Sequence, residues 1–132
     1  MHDESGAEQF VVYYVQALDW GVATNDMYLL NQISDPSCST CRDNIDAVEA
    51  LKRAGKIQIG GRSTLLRVDI AGGEFAIHTD YVFRITTADE AVVIQGPGGA
   101  RTTAAPADSH DVSLVFVSWV RGRWRVMEEG TP

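Results

Sequence analysis

"EQFVVYYVQALDWGVATNDMYLLNQIS", residues 8–34, is the stretch on which the fold turns. Phe10, Val11, Tyr14, Val15, Leu18 and Val22 recur at the i, i+3, i+4, i+7 spacing of a helix with one apolar face. Val12, Tyr13 and Trp20 add apolar surface on its other faces, which predicts a helix covered on more than one side. Just upstream, Ser5 and Glu8 have capping-box spacing, in which each side chain bonds the other's backbone amide, and they predict the helix start. "ATND" (23–26) ends the helix, and Asp26 is placed to cap a short second one in "MYLLNQIS" (27–34).

A third helix follows. Ser34 or Asp35 caps it, and Pro36 falls in its first turn, where a missing amide costs nothing. It runs to about Ala54, with Gly55 as terminator.

Beyond Gly55 the period changes to two. "STLLRVDI" (63–70) places Leu66, Val68 and Ile70 on one face and Leu65, Arg67 and Asp69 on the other. "AGGE" (71–74) is a hairpin signal. "EFAIHTDYVFRITT" (74–87) then alternates Phe75, Ile77, Thr79, Tyr81, Phe83 and Ile85 with Ala76, His78, Asp80, Val82 and Arg84. "AVVIQ" (91–95) is a further strand, and residues 96–110, rich in Gly, Pro and Ala, are expected to be a mobile loop. "DVSLVFVSWV" (111–120) is apolar on both faces, as an inner strand would be, and a turn at Gly122 leads into "RWRVMEE" (123–129). Helices followed by hairpin-linked strands predict a single α+β domain over 1–132: three N-terminal helices packed on a strongly curved, mostly antiparallel sheet of four to six strands, cone-like in outline. The first four and last three residues are expected to fray.

Composition narrows the function classes. At 45% apolar and 22% charged residues the chain reads as an ordinary soluble fold. The net charge is −7, and residues 1–51 hold nine of the eighteen acidic residues against one of the eleven basic ones. Such a chain repels phosphate backbones, so nucleic-acid binding is not expected. Arg121, Arg123 and Arg125 read as a solvated hairpin. The opening "MHDESGAEQF" has neither a charged n-region nor an apolar h-region. That fits a cytoplasmic protein, or a chain whose export segment has been removed.

The two cysteines, in "DPSCSTC" (35–41), admit three readings. A structural zinc site needs four ligands, and His2, His78 and His110 lack paired spacing, so no metal is expected. Redox exchange needs the motif after a strand in a βαβ unit, and here helices precede it. The third reading is a structural disulfide. On the third helix Cys38 and Cys41 fall on the same side as Ile45, Val48 and Leu51, so both sulfurs face the core. A bridge closing so small a loop contributes about 2 kcal/mol in the chain-entropy model. It also favours an oxidising compartment.

The helix–short helix–helix–sheet order, and "EQFVVYYVQALDWGVATNDMYLLNQIS" in particular, resembles the nuclear transport factor 2-like (cystatin-like α+β) superfamily. The longer stretch "ESGAEQFVVYYVQALDWGVATND…ISDPSCSTCRDNIDAVEALKRAG" and the closing "SWVRGRWRVMEE" are similar to an uncharacterised actinobacterial family. Tyr14, Ala17, Leu18, Cys38, Cys41 and Trp124 carry that similarity best. The resemblance implies an exported, often lipid-anchored protein of the cell surface. The lipid-attachment cysteine it implies upstream is not among these 132 residues.

Enzymes of that superfamily work in the pocket between helices and sheet. His78 and Asp80, two apart on one strand, are candidates for an acid–base pair, with Tyr14 lining the same cavity. The alternation, however, groups His78 and Asp80 with Arg84, away from the apolar face. Trp20, Trp119 and Trp124 are candidates for ligand binding. No Gly-rich phosphate loop follows a strand and opens a helix, so no cofactor is expected. The expected function is therefore a non-catalytic, extracytoplasmic domain that binds an unidentified small ligand or protein partner, with a homodimer left open. The alternative is a small-molecule isomerase or dehydratase using the pocket.

Overall fold

The computed structural model describes residues 2–71 and 78–132. Three helices come first: α1 (Glu4–Thr24), α2 (Tyr28–Ile33) and α3 (Ser39–Arg53). Seven strands follow among the described residues: β1 (Ile57–Gly60), β2 (Ser63–Ile70), β3 (Tyr81–Asp89), β4 (Val92–Gln95), β5 (Arg101–Ala105), β6 (Asp108–Val120) and β7 (Arg123–Gly130). They form two antiparallel sheets, one of order β2-β3-β6-β7 and one of order β1-β4-β5. The α+β class and the helix order match the sequence reading. The count of four to six strands does not.

The extra strand comes from the segment expected to be a loop. Residues 101–105 pair with β4, and 108–110 already belong to β6. Gly96 and Gly99 supply the tight turn: the Gly96 amide donates to Ala100 O at 2.9 Å and the Gly99 amide to Gly96 O at 3.0 Å. Composition alone hid this hairpin, because Thr and Ala carry little apolar signal.

Helix starts differ by a few residues. Asp3 caps α1, its Oδ1 accepting from the Gly6 amide at 2.8 Å, and Ser5 lies inside the helix. Asp is at least as good a cap as Ser, and the earlier start carries Ala7 into the core. Asp26 Oδ1 accepts from the Tyr28 amide at 3.0 Å, but the N-cap position of α2 is Met27, not Asp26 as expected. Neither Ser34 nor Asp35 caps α3. Cys38 is its N-cap, its sulfur accepting from the Cys41 amide at 3.2 Å. Ser34 instead closes α2 by donating to Leu30 O at 2.6 Å. Asp35 folds over Ser37 in a turn of its own, and Pro36 stays ahead of the helix. Gly55, at φ +71°, follows the helix as terminator.

One face of α1 is buried, through Val11, Tyr14, Val15 and Ala17. Tyr13 and Trp20, expected to be packed, are 39% and 40% exposed, because the helix is covered on one side only. The core lies between this face, the Cys41–Ile45–Val48 face of α3 and the inner face of the four-stranded sheet, where Phe83 opposes Val115 and Val117 opposes Val126.

Leu66 corrects another expectation. A bulge between Leu65 and Arg67 inserts one residue into β2. Leu65 and Val68 therefore both pack on the core, while Leu66 is 54% exposed on the outer side. Phe75, Ala76 and Ile77, and Gly72–Glu74 of the expected hairpin, lie outside the described residues. His78 and Asp80 lie in a bend ahead of β3, not in a strand.

The chain passes from one sheet to the other at Gly60–Gly61, opposite Ala91. Gly60 is at φ +70°, and a Cβ there would lie 2.6 Å from Ala91 O. Gly60→Ala combines a left-handed backbone with a clash against fixed backbone. It should destabilise the fold by about 2 kcal/mol or more in a denaturant titration.

Candidate functional site

The end of β7 meets the start of α3, and most of the interior's polar chemistry gathers there. Cys38 and Cys41 are joined by a disulfide, with Cα atoms 5.3 Å apart, and both residues are fully buried. The sulfurs face the core, as the helical stripe predicts. Beside them the Glu128 carboxylate closes the open amides of α3. Its Oε2 accepts from the Ser39 hydroxyl at 2.7 Å and the Ser39 amide at 3.2 Å, and its Oε1 accepts from the Thr40 amide at 3.1 Å. Partial burial would raise the Glu128 pKa. The hydrogen bonds from Ser39, the Glu129 amide and Thr40 outweigh it and hold the group at about 2. The Thr40 hydroxyl adds a bond to Glu129 O at 2.9 Å.

Glu129 points into the domain. Its Oε1 accepts from the Tyr14 hydroxyl at 2.9 Å, and Tyr14 is fully buried. Burial raises the Glu129 pKa, the bond from Tyr14 opposes that, and the charges of Asp111, Asp89 and Glu128 raise it further. Burial first, and then the Glu129 charge, push the Tyr14 hydroxyl well above its ordinary value, so it stays a donor. Further along, Asp111 lies beside Asp89. The hydrogen bond with Asp89 raises Asp111. Burial alone would raise Asp89, but bonds from Ser63, Asp111 and Thr87 lower it, the last at 2.8 Å from the Thr87 hydroxyl.

This seam of Tyr14, Glu129, Asp111 and Asp89 runs along the inner face of the sheet. Of its members only Tyr14 is among the residues singled out in the sequence. The acids at 128 and 129 look like a solvated strand end, because the partners that bury them are about a hundred residues away along the chain. Among the described residues, no three His, Cys, Asp or Glu side chains are grouped to hold a metal ion.

The expected acid–base set does not converge. His78 is exposed, and Asp80 is committed to backbone, its Oδ2 accepting from the Trp119 amide at 2.8 Å. Tyr14 is engaged elsewhere, with Glu129. A cavity of about 180 Å³ lies between α1, α3 and β1, lined by Leu18, Val22, Met27, Val48 and Gln58 among others, and His78, Asp80 and Tyr14 do not line it.

The tryptophans divide. Trp119 and Trp124 meet edge to face at 5.3 Å across the β6–β7 hairpin, with Tyr81 5.9 Å from Trp124. His2 stacks on Trp119 at 4.8 Å, so the N-terminal segment expected to fray is tied to the sheet at His2, while Asp3 caps its own helix. Trp20 lies apart, about 24 Å along α1 from the helix start.

A larger cavity of about 660 Å³ lies on the outer face of the four-stranded sheet. Leu66, Arg67, Arg84, Thr86, His110 and Val112 line it. Val82 and Leu114 point to the same side by the alternation of their strands, and both are buried although the helices do not cover them.

Residues 1–130 match the model of DUF6318, a family of unknown function. The chain belongs to that family. No protein of curated function matches it. Among solved structures it is similar to the intermembrane space region of the chloroplast protein ARC6, with a TM-score of 0.62 and 14% identity over 98% of this chain and 96% of that one. The likeness is one of fold.

The two neighbouring glutamates should respond to pH in opposite senses. Glu128 is lowered on folding, so its contribution is complete above pH 4.5 and is lost as pH falls towards about 2. Glu128→Gln should cost about 1 kcal/mol at pH 7 and flatten the acid limb of the stability curve. Glu129 is raised, so its ionisation opposes folding as pH rises above 4.5. Glu129→Gln keeps an acceptor for Tyr14 and should stabilise the protein at pH 7 with no gain at pH 4. Urea midpoints of the three proteins across pH 2–8 check both.

Proposed function

We propose that this member of DUF6318 is a non-catalytic binding domain of an exported protein, displayed at the cell surface and tethered by a lipid anchor on sequence ahead of it. In this reading the domain is nuclear transport factor 2-like, the two sheets together making the curved wall of a cone, and its host is actinobacterial. The ligand is an apolar small molecule or an apolar segment of a partner protein.

The observation that carries the reading is the groove on the outer sheet face. It offers about 660 Å³, within the range of ligand-binding clefts. Its lining combines Leu66 and Val112 with Arg84 and with Arg67, which Asp69 pairs at 2.7 Å, a mixture suited to an apolar ligand with a polar end. The interior offers less: the cavity between α1, α3 and β1 is small, Tyr14 is beyond reach of solvent, and His78 and Asp80 stand apart from it. For the compartment, support comes from the disulfide, which persists where the surroundings are oxidising.

The test is made in the native host. A photo-crosslinking residue is placed at Leu66 in the groove, and separately at exposed Tyr28 on α2 as control. A discrete adduct from position 66 alone, abolished by Arg84→Glu, is expected. Adducts from neither position, or equally from both, would refute the binding reading. Chain isolated from the envelope without reductant should carry no alkylatable thiol, whereas two free thiols would refute the compartment.

A further inference from the structure

The end of the β6–β7 hairpin holds a second arrangement, separate from the groove, so its fate leaves the groove reading untouched. Trp119 and Trp124 oppose each other in the register of the two strands and meet at 82°. Tyr81, from β3, packs on Trp124 with ring centroids 5.9 Å apart at 57°. Asp80 stands at the rim. Its carboxylate is held by the Trp119 amide, from which Oδ2 accepts at 2.8 Å, and its backbone by its own amide, which donates to Ser118 Oγ at 3.1 Å. Three ring systems and one fixed carboxylate are the components of a cation-binding box, in which ring faces and a counter-charge together replace water around a positive group.

The box has an occupant from its own chain. The His2 ring lies parallel to Trp119, at 9° and 4.8 Å, and edge-on to Trp124 at 5.5 Å. Its Nε2 is 3.7 Å from Asp80 Oδ2. The His2 side chain remains 56% exposed, so the box opens to solvent on the side where His2 enters. His2 precedes the α1 cap at Asp3, whose bond to Gly6 does not depend on it. It is free to leave without unwinding the helix.

We propose that Tyr81, Trp119, Trp124 and Asp80 form a binding site for a quaternary ammonium group, and that His2 fills the site when no ligand is bound. The chemistry selects the class. A guanidinium or primary ammonium needs several acceptors for its N–H groups, and the rim supplies one carboxylate that already accepts from Trp119. A trimethylammonium group has no N–H to satisfy and meets the rings with methyl groups all round. Free choline-type solutes and choline lipid headgroups share this group.

Choline chloride titrated into the folded protein, followed by the indole N–H resonances, tests the site. The Trp119 and Trp124 signals, assigned by Trp→Phe variants, should shift saturably while Trp20 on α1 stays fixed as internal reference. His2→Ala should tighten binding about five-fold, since it removes a competing occupant. Asp80→Asn keeps the acceptor for Trp119 and loses the charge, and should weaken binding about five-fold or more. The neutral isostere 3,3-dimethyl-1-butanol should leave the signals in place. Sedimentation with phosphatidylcholine against phosphatidylglycerol vesicles separates the sources: selective capture by the former assigns a lipid headgroup, and choline binding without capture assigns a free solute. No saturable shift in His2→Ala with either source, or equal binding of the neutral isostere, would overturn the proposal.

Discussion

The first turn of α3 is where the helical layer is fixed to the sheet. Three ties converge within four residues: the buried disulfide, the Glu128 carboxylate on the amides of Ser39 and Thr40, and the Thr40 hydroxyl on the Glu129 carbonyl. Each alone is modest. Closing a four-residue loop contributes about 2 kcal/mol in the entropic model, and an anion at a helix N-terminus typically less than 1 kcal/mol. Together they set where α3 begins and which side it turns to the sheet. The buried face of Cys41, Ile45 and Val48 follows from that. Ser34 and Asp35 extend the same seam, pairing with Val126 just before the helix. The last strand is thus the anchor for the middle of the chain.

The same strand sends Glu129 inwards to Tyr14, and here stability and specificity pull apart. A buried carboxyl with acidic neighbours costs free energy. Its retention makes sense as a positional device. The Tyr14 hydroxyl on α1 finds its acceptor only if the bulge opposite Phe116 and Val117 holds β7 in this register. A slip of one residue would turn Glu129 outwards and leave Tyr14 buried without a partner. Apolar packing between α1 and the sheet tolerates sliding. A single directed hydrogen bond does not.

How much of this could be read from the sequence follows from how local each determinant is. The helices, the Gly55 stop and the orientation of the two sulfurs rest on spacing within a few turns, and each is in place. The cap of α1 shifted because Asp3 and Ser5 are both competent and only burial of Ala7 separates them. The inward set of β2 was misassigned because a bulge leaves no trace in an alternation count. β5 escaped because its Thr and Ala carry no apolar signal, although "GPGG" between two runs was a usable hairpin cue. The Tyr14–Glu129–Asp111–Asp89 seam had no local signal at all. Consecutive acids at a strand end look solvated until a helix from the far end of the chain covers them. Trp119 and Trp124 were legible as a pair, while the partners that give them chemical character, His2 and Asp80, come from elsewhere.

That distribution bears on where function can reside. In a two-layer domain the space between layers serves either as core or as pocket, and here it is largely core. Tyr14, the disulfide and the valines of the sheet fill it, leaving about 180 Å³ near Leu18 and Val48. Two places on the four-stranded sheet stand out, one on its outer face and one at the end of its inner face. On the outer face Val82 and Leu114 are buried with no helix over them. At the hairpin end three groups, His2, Asp80 and Tyr81, meet around the aromatic pair of Trp119 and Trp124. Both depend on β6, which at thirteen residues is the longest strand and spans from one to the other. A bend in β6 would disturb both at once, so the clamp that fixes β7 and α3 also holds the outer groove and the hairpin end in shape.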